Sequence, residues 1–182
     1  LREHQVDCWV IPMREYNEDP VFRALVVPTT FAARRRTIYV LCDRGPLGVE
    51  RLALGGSDQG GLYTVVRSPR LTDPVTQRRA ELWGDEQWQL LPEVLEDRNP
   101  RRIAVNRSRT FAFADGLTAA EDDAMREALG IDLASRLVDA EGLAVDFLAL
   151  RLPEEEAVYR RMQALVWELI GELGEAAEKD LP

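Results

Sequence analysis

The chain has one histidine, His4, and one lysine, Lys179, among its 182 residues. With a single imidazole close to the first residue, this chain cannot assemble a serine triad, a cysteine–histidine pair or a histidine–carboxylate metal site. Cysteine is nearly as scarce, limited to Cys8 and Cys42. Both sit in apolar, strand-like runs, which predicts buried free thiols in a reducing compartment rather than a disulfide framework. No apolar run reaches the ~20 residues that a spanning helix needs, because charges interrupt each one, so no membrane association is expected. The first residues show no basic-then-apolar leader, and a cytoplasmic protein is the expectation. Positive charge is also in deficit: 32 acidic residues against 23 basic ones give a formal charge of -9. A nucleic-acid-binding face wants the opposite balance, so no nucleic-acid partner is expected.

What is present is globular. Hydrophobic residues make up 46% and charged residues 30%, a balance that can bury a core and rules out a disordered chain. Short β-branched or aromatic runs at residues 6–12, 37–42, 49–54, 63–66, 102–106 and 133–138 read as strands. Residues 22–27 read as strand or as a single helical turn. Trp88, Leu91, Val94 and Leu95 recur at helical spacing within residues 85–97, and Asn99-Pro100 ends that helix. Thr118 with Glu121 three residues later forms a capping box, and Gly130 closes the helix it opens. Residues 140–150 read as another helix. Pro153 starts a long final helix whose first turn holds Glu154, Glu155 and Glu156, where the helix dipole favours acids. Strands separated by helices predict an α/β domain with helices on both sheet faces.

Chemistry-bearing residues concentrate in residues 13–45. A polar loop, Asn17-Glu18-Asp19-Pro20, leads through Phe31 to the arginine cluster Arg34-Arg35-Arg36 and then to the most apolar strand. Two readings of the cluster stay open. The arginines are either a solvated strand start whose stems cover apolar surface, or guanidinium forks that recognise a carboxylate. Asp19, Asp43, Asp115 and Asp146 are the candidates for a carboxylate-only metal site, although acids this common are mostly loop and cap residues. The glycine loop at residues 55–61 lacks the lysine and hydroxyl ending of a phosphate cradle and is expected to be a hairpin-like turn. Among the tryptophans (Trp9, Trp83, Trp88 and Trp167), Trp167 stands out because it lies on the final helix.

The order of elements, the Asn17–Pro20 loop running through Phe31 into Arg34, and the closing LALRLPEEEAVYRRMQALVWELI together resemble the N-terminal domain of the creatinase/prolidase/Xaa-Pro aminopeptidase family. In the closing stretch Arg151, Leu152-Pro153, Glu154 to Glu156 and Arg160 or Arg161 carry the likeness. The family's Tyr-Leu-Thr-Gly-Phe run is degenerate here, as residues 25–31, and its Lys-Ser link is Leu152-Pro153. The resemblance implies a three-layer α-β-α sandwich on a mixed sheet of ribonuclease-H-like type. It implies a domain at residues 1–151 and, at residues 152–182, a linker helix that begins a C-terminal catalytic domain lying outside this chain. That second domain would hold two divalent ions (Mn, Co or Zn), so no catalytic and no metal-binding residue is expected here. It further implies a homodimer acting on peptides, with Phe31 and Arg34, and Arg35 and Arg36 beside them, at the interface or at the partner's substrate. The alternative is a peptidase-like module that binds protein or peptide partners without catalysis, as histone-chaperone relatives of the fold do. A weaker third reading is a stand-alone domain that binds a small anion at Arg34 to Arg36.

Overall fold

The computed structural model of the chain describes residues 1–68, 75 and 86–179. Trp83 and the irregular stretch expected at residues 69–74 lie outside the described residues. The chain divides into two compact units, Leu1–Leu148 and Ala149–Pro182.

The first unit is built on a six-stranded sheet with spatial order β4-β3-β2-β1-β5-β6. The strands are β1 (Cys8–Arg14), β2 (Arg36–Asp43), β3 (Val49–Leu54), β4 (Thr64–Val66), β5 (Ile103–Val105) and β6 (Leu137–Asp139). β2 runs antiparallel to both β1 and β3, whereas β1–β5, β5–β6 and β3–β4 are parallel pairs. The sheet is therefore mixed, with β2 reversed between its neighbours, and the fold is the α/β class expected. One expectation fails here. Because β3 and β4 are parallel, with Leu52 opposite Thr64, residues 55–61 are not a hairpin turn but part of a connection that carries the chain back before it re-pairs.

Strand alternation sorts the core into two layers. Even-numbered residues of β1 to β3 (Val10, Ile38, Val40, Leu52, Leu54), with Ile103 and Val105 of β5, pack against α2 (Glu86–Arg98) and α3 (Ala119–Ala134) through Trp88, Leu91, Leu95, Met125 and Leu129. Odd-numbered residues of β1 to β3 (Trp9, Ile11, Met13, Tyr39, Ala53), with Ala104, face α1 (Phe22–Leu25) and α4 (Glu141–Ala149), including Phe22, Leu143 and Ala144. Helices thus cover both faces, giving three layers. Each Ile or Leu sealed in this way contributes roughly 1.5–3 kcal/mol of transfer free energy.

Cys8 and Cys42 correct the expectation of free thiols. They stand opposite one another in the β1–β2 register with Cα atoms 4.1 Å apart, and they form a disulfide within the even-face core. The hydrogen bond from Asp43 N to Asp7 O marks the neighbouring pair as the bonded one, so this pair is of the closer kind, where side chains meet. Disulfides persist in oxidising surroundings, so these cysteines no longer argue for a reducing compartment. Among the described residues no helix is long and apolar enough to cross a membrane.

The second unit is dominated by α5 (Pro153–Lys179), which runs on through Gly171 and Gly174. Its apolar side chains, among them Met162, Leu165, Trp167 and Leu169, are all exposed.

Candidate functional site

Antiparallel pairing of β1, β2 and β3 gathers the loop after Arg14, the loop before Arg36 and the loop after Leu54 at one end of the sheet. The loop after β1 is held by a buried polar chain. Trp9 Nε1 donates to Asn106 Oδ1 at 2.7 Å, and Asn106 Nδ2 donates to Asp19 Oδ2 at 2.8 Å. Val21 N donates to Asp19 Oδ1 at 3.0 Å, closing the turn into α1. Burial pushes the Asp19 carboxyl above its ordinary range, against the downward pull of the Val21 and Asn106 hydrogen bonds. Gly116 packs so closely that a Cβ there would lie 2.0 Å from Asp19 Oδ2. Asp19 is therefore a structural hub. Glu18 joins the loops by accepting from Ala33 N at 3.0 Å.

The three arginines part ways. Arg36 belongs to β2 and points to the even face, where its guanidinium lies 5.1 Å from the Trp88 ring and its Nε 3.3 Å from Glu121. Arg14 is its register partner on β1, so two like charges face each other across the strands, an arrangement that repels by itself. Glu121, only 3% exposed, resolves it by also binding Arg14 at 3.0 Å. Thr118 does cap α3, its hydroxyl accepting from Glu121 N at 3.3 Å. The Glu121 side chain, however, is drawn to the arginines instead of completing the capping box. Gln87 Nε2 adds a hydrogen bond to Arg36 O at 3.0 Å. Arg35 sits 3.6 Å from Glu15. Arg34 is exposed, has no ionic partner among the described residues, and follows Phe31, which is 78% exposed.

Arg34 lines a partly open cavity of about 200 Å³ on the odd face, together with Thr37, Tyr39, Ser57 and Gln59. Gln59 organises it: Thr30 Oγ1 donates to Gln59 Oε1 at 2.8 Å, and Gln59 Nε2 donates to Tyr39 Oη at 3.3 Å. Burial pushes the Tyr39 phenol up to about 12 against the Gln59 hydrogen bond, so it stays protonated. A second, more open cavity of about 650 Å³ runs between α2 and α3, with Trp88, Pro92 and Ala124 on its floor and Glu93, Glu96 and Glu127 at its edge.

The structure thus brings Arg34 to a cavity and leaves Phe31 outward, while Arg36 is locked on the opposite face. Of the metal candidates, Asp43 pairs with Arg2 at 2.6 Å and Asp146 with His4 at 2.9 Å, in different places from Asp19. Among the described residues no three His, Cys, Asp or Glu side chains are grouped to hold a metal ion, so these residues do not fit the ions that the resemblance assigns to a further domain. Sequence reasoning missed Tyr39, Gln59 and Glu121. Tyr39 and Gln59 come from opposite ends of separate segments, and only a Gln within a glycine loop hinted at the second. Glu121 was noticed only as a cap.

No protein-family model matches the chain, and no curated protein does. Among solved structures it is similar to a Xaa-Pro dipeptidase from Bacillus anthracis, at 12% identity and a TM-score of 0.49, over 85% of this chain and 34% of that one. The chain spans about a third of that protein's length. A likeness this distant concerns general fold only.

Proposed function

We propose that this chain is the non-catalytic N-terminal domain of a metal-dependent Xaa-Pro peptidase, lending Phe31 and Arg34 to a peptide site completed by another domain or a second copy. One observation carries the reading. Phe31 and Arg34 lie three residues apart in the loop before β2, an exposed ring and an exposed guanidinium with no ionic partner among the described residues, whereas Arg35 and Arg36 beside them are ion-paired. Such a pair grips a peptide through its fork and its apolar face. The residue order noted in the sequence supports the same family. Metal ions (Mn, Co or Zn) and bond cleavage would belong to the catalytic domain. In a longer product carrying that domain, Arg34→Ala lowers Xaa-Pro turnover while the fold persists, and the 182-residue chain alone is inactive with any of these ions. Metal-stimulated turnover that co-purifies with the short chain would overturn the proposal.

A second reading, a peptide-binding module without catalysis, is favoured by the groove between α2 and α3. Its apolar floor contains Trp88, whose buried Nε1 finds no acceptor among the described residues, and the three carboxylates at its edge suit a basic peptide. Reversing Glu93 and Glu127 to Lys abolishes capture of an arginine-rich peptide if this groove is the site, and leaves it unchanged otherwise.

A further inference from the structure

The cavity at Arg34 has a chemical bias of its own. Among the described residues, Arg34 is the one ionised side chain in its lining and no carboxylate lines it, in a chain whose net charge is -9. Three hydroxyls of the lining already accept hydrogen bonds from the chain itself. Thr37 Oγ1 accepts from Arg34 N at 3.2 Å, Ser57 Oγ from Gln59 N at 3.1 Å, and Tyr39 Oη from Gln59 Nε2 at 3.3 Å. Each of these hydroxyls has spent a lone pair and keeps its hydrogen for another acceptor. None of the three finds one among the described residues. Tyr39 is 2% exposed, and a buried donor left without an acceptor is a costly feature to maintain unless something fills the need. The remaining wall is apolar, from Phe22, Ala33 and Ala53. At about 200 Å³ the space falls below the ~300–1,000 Å³ of sites for drug-sized ligands, so its guest has only a few heavy atoms.

We propose that this cavity binds a small aliphatic carboxylate, its oxygens held by Arg34 and by the Tyr39, Thr37 and Ser57 hydroxyls, its hydrocarbon against Phe22 and Ala53. The guanidinium fork matches the two carboxylate oxygens, and O–H donors complete the shell.

The test is a titration of the 182-residue chain with sodium propionate, with sodium chloride at equal ionic strength as control. Amide resonances of residues 34–39 and 55–59 should shift saturably, and Tm should rise with propionate concentration, as for any ligand bound by the native state alone. Arg34→Gln should abolish the shifts, and Tyr39→Phe, which keeps the ring, should weaken binding about tenfold. Ser57→Ala is the companion variant on an exposed loop, expected to weaken binding without disturbing the core. Propionate effects no larger than those of chloride, affinity unchanged in all three variants, or tighter binding of inorganic phosphate than of propionate would each overturn the assignment. If Arg34→Ala lowers peptide turnover in the longer product but propionate does not bind here, the peptidase reading stands and this one falls.

Discussion

At the Arg36 end of β2 the two faces of the sheet treat their polar groups differently. On the even face, the Cys8–Cys42 disulfide and the Arg14–Glu121–Arg36 cluster join β1, β2 and α3 through partners that are all inside the domain. On the odd face, at the same end of β2, Thr37, Tyr39 and Arg34 line a cavity with hydrogens to spare. The dividing rule is the two-residue period of a strand, which sends Arg36 one way and Thr37 and Tyr39 the other. The contrast teaches that an arginine-rich stretch is not one functional unit. Arg36 is structural and Arg34 is presented.

That contrast can be broken by experiment. The largest effect is expected from Cys8→Ala with Cys42→Ala, or from reduction of the bond, which closes a loop of 34 residues' separation. Chain-entropy reasoning puts the loss at about 4 kcal/mol, readable as a lower urea midpoint. An unchanged midpoint would show that the even face is not held by this bond. Next comes Glu121→Ala, which leaves two opposed arginines without their shared carboxylate and should cost about 3 kcal/mol. A cost under 1 kcal/mol would mean that Arg14 and Arg36 are satisfied by solvent and that the even face is no more locked than the odd.

Asp19→Asn should cost about 1–3 kcal/mol, because an amide hydrogen would then confront Asn106 Nδ2, itself oriented by Trp9. Acid titration should separate the carboxylates by sign. Asp43, held by the Arg2 hydrogen bond at about 2, and Glu50, lowered chiefly by the Arg98 hydrogen bond, have depressed folded values. They stabilise the fold above the ordinary carboxylate range, and that contribution disappears as pH falls through their folded values. Asp19 is raised in the fold, so its ionisation opposes folding. Its contribution is present below the unfolded value and is lost as pH rises through the folded one. Denaturation midpoints followed from pH 7 down to about pH 2 in Arg2→Ala and Arg98→Ala should therefore show a shallower acid loss than the parent protein. The smallest expected effect is that of Arg34→Ala, within about 0.5 kcal/mol of the parent in urea, because the side chain is exposed and has no ionic partner. A loss as large as that of Glu121→Ala would erase the distinction between the two arginines.

Much of the architecture was legible in the sequence. The strand at residues 37–42 appears as Arg36–Asp43 and the helix at residues 85–97 as Glu86–Arg98, whereas Gly130, expected to close its helix, leaves helical geometry at φ 66° only as a kink, and α3 resumes to Ala134. These features depend on neighbours a few residues away, through side-chain period, capping and breaker residues, and so they can be read locally. The exposure of Phe31 and Arg34 is of the same local kind, since both lie in a loop before a strand.

Tertiary structure alone decided the rest. Register placed Cys8 against Cys42 and Arg14 against Arg36, and register depends on which strands pair, a choice made by residues far apart in the chain. The parallel β3–β4 pairing, which turned an expected hairpin into a longer connection, is of the same kind. So is the cavity, where Thr30, Tyr39 and Gln59 meet from three segments. Local chemistry chose the elements and their buried faces, and the long-range closure of the sheet chose which of its polar residues would be satisfied within the chain and which would be left facing a space.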